Sequence, residues 1–160
     1  MKKYGKLAIV FVLVLLLSGC GKESISLSKE KTMTCTKTTT DEDGYKTDDK
    51  MEITYKNNKV TKVTNTNISE TDPDILDMTY SFMTAFAEKF NKVDGMNVVY
   101  TKEGTNQIKF VMSVDYAKLN VDSIKENLGD LYDEDDSFYG DTDITIDEFK
   151  ENYLEGYTCK

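Results

Sequence analysis

From position 31 onward the chain alternates apolar and polar residues, switches to a helical period, and then switches back. In the threonine-rich run at 31–40, Met33 and Cys35 fall on one face, the period of a half-exposed strand. The acidic turn Asp41-Glu42-Asp43-Gly44 ends that run, and Met51, Ile53 and Tyr55 form a second alternating set. Asn57-Asn58 follows, a pair that tolerates positive φ and suits a tight hairpin. The returning strand carries Val60 and Val63, and their spacing of three predicts a bulge or an edge position.

The period then lengthens. Asp72-Pro73 predicts a helix start, with the aspartate as N-cap and the proline at the first helical position. Ile75, Met78, Phe82, Phe86, Phe90 and Val93 recur at three- and four-residue steps, which predicts an amphipathic helix with a bulky apolar stripe. Gly95, after Asp94, is the expected C-cap. Val98-Val99-Tyr100, a turn at Glu103-Gly104-Thr105-Asn106, and the set Ile108, Phe110, Met112, Val114 and Tyr116 predict two more strands. Val121, Ile124, Leu128 and Leu131 mark a shorter helix. A capping-box pattern at Thr145-Ile146-Asp147-Glu148 opens a last helix, with Phe149 and Tyr153 facing inward.

Three strands, a long helix, two strands and two short helices predict a single α+β domain over 31–160. Its expected architecture is an antiparallel sheet of about five strands packed against one long and two short helices. No internal repeat and no linker interrupts it.

The first thirty residues follow a different plan. Lys2, Lys3 and Lys6 precede an uninterrupted apolar stretch at 7–17, the layout of a secretory signal peptide. That stretch is shorter than the ~20 apolar residues a membrane-spanning helix needs. It ends in Leu17-Ser18-Gly19-Cys20, which resembles the lipobox of bacterial lipoproteins. Small residues at Ser18 and Gly19 suit a peptidase site, and the Cys20 thiol is the nucleophile that takes the lipid. The expectation is a signal peptide at 1–19, a lipid anchor on Cys20 and a polar tether at 20–30. Acyl chains in pairs hold a protein at a membrane where one alone is marginal. The domain is then exported and attached to the cell membrane by its acyl chains.

Maturation sharpens the charge. The whole chain carries −9, from twenty lysines and twenty-nine acids; loss of the three signal lysines leaves seventeen against twenty-nine, or −12. Such a surface repels nucleic acid and anionic headgroups, and no basic patch offsets it. With Cys20 acylated, Cys35 and Cys159 remain as an even pair in a compartment where disulfides persist. A bridge between them is expected, with two free thiols as the alternative. In the loop-entropy picture, closing so long a loop stabilises by about 4–5 kcal/mol. No histidine is present, so a zinc site built on these cysteines is not expected.

Candidate chemistry is sparse. Asp130, Asp133, Glu134, Asp135, Asp136, Asp141 and Asp143 crowd one segment, and carboxylates at that density invite a calcium test. The segment ending in Glu148-Phe149 imitates the second half of an EF-hand. In that register, however, the first and third ligand positions fall on Ser137 and Tyr139, and the turn glycine becomes Thr142. A solvated acidic loop with no metal site is the expectation. The Met and Phe positions of the long helix suit either plain core or a groove for an apolar ligand. Tyr132, Tyr139, Tyr153 and Tyr157 cluster late and are read mainly as half-buried positions. Serine lacks a histidine partner, and no glycine-rich phosphate loop is present, so neither an enzyme nor a cofactor is expected.

The middle of the chain resembles the YehR-like family of small bacterial lipoproteins. The resemblance rests on Ile53-Thr54-Tyr55, Lys59-Val60-Thr61-Lys62, Lys89-Phe90, Val93-Asp94-Gly95-Met96, Tyr100-Thr101, and Val114-Asp115-Tyr116 with Leu119. It covers about 51–120 together with the lipobox. It implies a fold and an anchor, and no activity. The Cys35/Cys159 pair and the acidic C-terminal region depart from the family's pattern. The expected function is a lipid-anchored envelope lipoprotein with a non-catalytic protein-interaction or cell-surface role; the alternative is binding of a small ligand or of calcium.

The anchor generates the first prediction. Cells producing the chain and fed a clickable palmitate analogue will label it, and Cys20→Ala will abolish that label. Equal labelling of the variant contradicts the lipobox reading.

Overall fold

Alternation produces strands wherever the sequence carries it. The computed structural model describes residues 29–129 and 140–160. The signal peptide, Cys20 and most of the tether lie outside them. So do Leu131, Tyr132, Ser137, Tyr139 and the acidic Asp130, Asp133, Glu134, Asp135 and Asp136. The described elements are β1 (Lys31–Thr40), β2 (Lys46–Lys56), β3 (Lys59–Glu70), α1 (Leu76–Phe90), β4 (Met96–Glu103), β5 (Gln107–Asp115), α2 (Val121–Leu128), α3 (Ile146–Tyr153) and β6 (Thr158–Cys159). This is an α+β fold with three helices and an antiparallel sheet in the order β4-β5-β3-β2-β1-β6. Among the described residues, no helix is long and apolar enough to cross a membrane.

The sheet has six strands, one more than the pattern of about five, because β6 is too short to show a period. Its two residues pair with β1 as Cys35↔Cys159 and Thr36↔Thr158. Backbone bonds between Thr34 and Lys160, at 3.1 and 2.9 Å, extend the ladder. Cys35 and Cys159 form a disulfide, with sulfurs 2.05 Å apart, so the C-terminus is tied to β1. The Cys35 side is fully buried and joins the core; Cys159 is exposed.

The β2–β3 hairpin turns on Asn57 and Asn58, both at positive φ (52° and 67°), the conformation a two-residue turn of this hand requires. Between Thr54 and Tyr55 the register shifts, and Thr61 is the extra residue of a bulge in β3. That bulge explains how Val60 and Val63, three apart, are both buried. The Thr61 carbonyl accepts from Tyr116 N (3.1 Å), which ties the chain just beyond β5 to β3.

Two expectations at the long helix are corrected. Asp72 does not cap it: its carboxylate accepts from Asp74 N (2.8 Å) and its carbonyl from Ile75 N (3.2 Å), closing a separate turn before the helix starts at Leu76. The C-cap is Asn91, not Gly95. The Asn91 amide donates to the Val98 carbonyl (2.8 Å) and accepts from Val98 N (2.6 Å), so it imitates a strand neighbour on the free edge of β4. The shorter helices follow the pattern more closely. Asn120 caps α2, and Thr145 and Glu148 close the capping box of α3, which delivers Phe149 fully buried into the core. Ile144 and Ile146 flank that box, and their backbone bonds to Val60 N (3.1 Å) and the Asn58 carbonyl (2.8 Å) fix α3 to the hairpin tip.

Gly95 has a different task. Its φ is +86°, and a Cβ there would lie 2.7 Å from the Asp115 carbonyl oxygen and 2.8 Å from Leu119 N. Gly104 has φ +68° with open space around it. Gly104→Ala is therefore expected to cost about 1–3 kcal/mol of conformational strain alone. Gly95→Ala adds a backbone overlap and should cost distinctly more, read as the difference in urea unfolding free energy. Equal costs at the two positions would show that the close approach carries no energy.

Candidate functional site: a groove between the long helix and the sheet

The register places side chains in rows across the face that the helices cover. The lowest row is apolar, Met33, Ile53, Val63, Val114 and Met96, and the next is apolar except at Asn65: Cys35, Met51, Asn65, Met112 and Val98. In the upper rows the apolar positions are confined to β5 and to Tyr100 of β4. One row runs Lys37, Asp49, Asn67, Phe110, Tyr100; the next runs Thr39, Thr47, Ser69, Ile108, Lys102. Polar thus meets apolar along the β3–β5 junction, and α1 packs against β4 beside that boundary.

A groove of about 320 Å³ opens there, lined by Asn67, Ser69, Glu70, Thr71, Thr79, Met83, Tyr100, Ile108 and Phe110. A further hollow of about 210 Å³, lined by Phe86, Phe90, Val98, Tyr100, Phe110 and Met112, shares its Tyr100 and Phe110. Those two rings stand 5.0 Å apart and form a common floor. One wall of the groove is amide and hydroxyl; the other is thioether, aliphatic and aromatic. That division, at this size, is the composition of a small-molecule site.

The polar wall is internally braced. Ser69 Oγ donates to Asn67 Oδ1 (2.6 Å), and Thr47 Oγ1 donates to Ser69 Oγ (3.2 Å). Behind it, Asn65 donates to Asp49 (2.6 Å), and the Tyr157 hydroxyl also bonds that carboxylate. Burial, followed by the Asp49 bond, pushes the Tyr157 phenol well above its ordinary value. Burial alone raises Tyr100. Both phenols therefore stay neutral and able to donate at physiological pH.

An ion pair links the start of α1 to β4. Lys102 reaches Asp77 at 2.6 Å and lies 4.9 Å from the centre of the Tyr80 ring. Leu76 and Ala87 are buried, and Met83 and Phe90 lie partly covered on the same side. The stripe read from sequence is consequently turned away at its first half: Ile75 is 44 % exposed, Met78 69 % and Phe82 68 %. The pattern contained two overlapping stripes, and the bulkier one does not face the core. Small Ala87 lets the helix approach the sheet, while Phe86 and Phe90 line the lower hollow. The polar wall had no signal beyond the change from Val63 to Asn65, Asn67 and Ser69 along one strand face.

The other candidates are placed as follows. Asp141 accepts from Asp143 N (2.9 Å), and Asp143 is paired with Lys59. Glu148 accepts from Thr145 N (3.0 Å), and its bond from the Thr145 hydroxyl, followed by that backbone bond, holds the carboxyl below its ordinary value. Among the described residues, no group of three or more acids or cysteines is arranged to hold a metal. The Tyr153 ring packs at a tilt against Phe149, with centroids 5.1 Å apart. On the uncovered face, a hollow of about 280 Å³ lies among Thr36, Thr38, Asp48, Lys50, Thr66 and Ile68. Asp48 there already accepts from Thr38 (2.6 Å), and Lys50 pairs with Glu52 (3.1 Å).

The exposure of Phe82 makes a direct prediction. Phe82→Ser should change unfolding free energy by no more than about 0.5 kcal/mol. Phe149→Ala should cost about 3–5 kcal/mol. A loss of several kcal/mol at Phe82, measured by urea unfolding, would mean the helix is rotated from the position described.

No protein-family model and no curated protein sequence matches the chain. Two solved structures share its fold. One is the NMR structure of a protein from Streptococcus pneumoniae TIGR4, 14 % identical, covering 82 % of this chain and 86 % of that one with a TM-score of 0.56. The other is the NMR structure of the Escherichia coli YehR protein, also 14 % identical, covering 82 % of this chain and 91 % of that one with a TM-score of 0.59. At that identity the likeness is one of fold, and the fold of this chain is YehR-like.

Proposed function

We propose that the chain is an exported bacterial lipoprotein, anchored through an acylated Cys20, whose non-catalytic domain binds a small ligand in the groove beneath α1. The observation that carries the binding reading is the groove itself, with its amide and hydroxyl wall facing a Met, Phe and Tyr wall. The lipobox Leu17-Ser18-Gly19-Cys20 carries the anchoring part. At about 3.3 Å per extended residue, the tether at 20–30 gives the domain a reach of roughly 36 Å from the bilayer. A charge of −12 on the mature chain leaves attachment to the acyl chains rather than to the domain surface.

A second reading has its own support. Ile75, Met78 and Phe82 form an exposed apolar strip on the outer side of α1, of the kind that docks protein partners.

Native mass spectrometry of the full chain, released from lipid nanodiscs, tests the first reading. The unmodified protein is expected to carry a small-molecule adduct that Thr79→Trp, which fills the groove from the helix side, removes. Circular dichroism of the variant establishes that it is folded. No adduct on the unmodified protein, or the same adduct on both, overturns the groove as the site.

A further inference from the structure

We propose that the groove selects an amphiphile without negative charge: an apolar tail lying along α1, and a head group that donates and accepts hydrogen bonds. This rests on the groove being the binding site. The inner hollow, beneath Phe86 and Phe90 and above Val98 and Met112, is apolar apart from the Tyr100 phenol it shares with the outer groove, and it takes the tail. The outer groove has Thr71, Thr79 and the Asn67–Ser69 pair at its mouth and takes the head. From Thr79 to Phe90 the helix advances roughly 16 Å at about 1.5 Å per residue, enough for a short alkyl chain laid parallel to it.

The charge selection follows from which cations are free. Among the described residues, Glu70 is the one carboxylate residue that borders either hollow, its oxygen already accepting from Lys46 N (3.0 Å), and no lysine lines them. Arginine and histidine are absent from the chain. On the covered face, Lys102 is already paired with Asp77 at 2.6 Å. Lys37 donates to the Glu155 carbonyl (3.1 Å) and lies 5.5 Å from the centre of the Tyr157 ring. A carboxylate, sulfate or phosphate head would shed water here without gaining a counter-charge, the arrangement that costs most. A hydroxyl, amide or ammonium head meets Asn67 and the threonines.

Three probes with one tail separate the ligand class from the site. The full chain, labelled with ¹³C at methionine methyls and held in zwitterionic nanodiscs, is titrated with hexyl glucoside, hexylammonium and hexyl sulfate. Free probe is calibrated against empty discs. The Met83 and Met112 methyls are expected to shift saturably with the first two probes, and hexyl sulfate should need at least a tenfold higher concentration. Asn67→Lys should bring the sulfate to parity, and Thr79→Trp should remove the Met83 shift for all three. Equal affinity for hexyl sulfate in the unmodified chain overturns the ligand class while leaving the site. Shifts at Met78 alone, or none at Met83 and Met112 with any probe, overturn the site and this proposal with it.

Discussion

The pairing register of β3 against β5 is the constraint on which the rest of the structure depends. It sets Asn65, Asn67 and Ser69 beside Met112, Phe110 and Ile108, so a polar strand runs directly against an apolar one on the face the helices cover. A shift of one residue would turn each of these side chains to the other face and abolish that boundary. The bulge at Thr61 and the two-asparagine turn at Asn57-Asn58 hold the register from one side, and the close contact of Gly95 with Asp115 holds it from the other. Below the boundary the face is closed by Phe149, Ile124 and Val93; above it the helix covers only the apolar half.

That partial cover leaves the groove. A fully apolar face would draw α1 down onto the sheet and bury Met83 and Phe110 as ordinary core. The braced hydroxyls and amides of the upper rows gain little from being covered by Met and Phe, because burying a polar group costs unless a partner is supplied. The helix turns Leu76, Met83 and Ala87 toward the sheet and leaves Met78 and Phe82 outward, with the Lys102–Asp77 pair spanning its start to β4. The same choice therefore makes both the groove beneath the helix and the apolar strip outside it. The disulfide and β6 serve the opposite edge, where they close the core over Cys35 without touching the groove.

The fold was largely legible in the sequence, because strand alternation, the Asn57-Asn58 turn and the Thr145-to-Glu148 capping box are local signals that do not depend on distant partners. What escaped was set by tertiary contact. β6 has no period of its own and forms only because β1 is there to pair with it. Asp72 has cap chemistry but spends it on a preceding turn. The helix stripe of the sequence runs through Ile75, Met78 and Phe82, whereas the buried side, Leu76 and Ala87, is chosen by fit against the sheet. The groove needed the register of three strands before Asn67, Phe110 and Tyr100 appeared in one row. Of the helix positions that suit an apolar groove, Met83, Phe86 and Phe90 line it and Met78 and Phe82 do not; its strand residues and polar wall carried no such signal.

The link between the polar boundary and ligand binding is tested most directly by replacing the boundary. In Asn67→Leu/Ser69→Leu, urea unfolding is measured with and without saturating hexyl glucoside, since a ligand that binds only the folded state raises the midpoint. The unmodified chain should show a clear upward shift of the midpoint on adding the probe. The double variant, with α1 free to settle onto an apolar face, should unfold at a higher urea concentration without the probe and show no shift with it. A variant that keeps the full shift would contradict the account, because the groove would then owe nothing to the polar row.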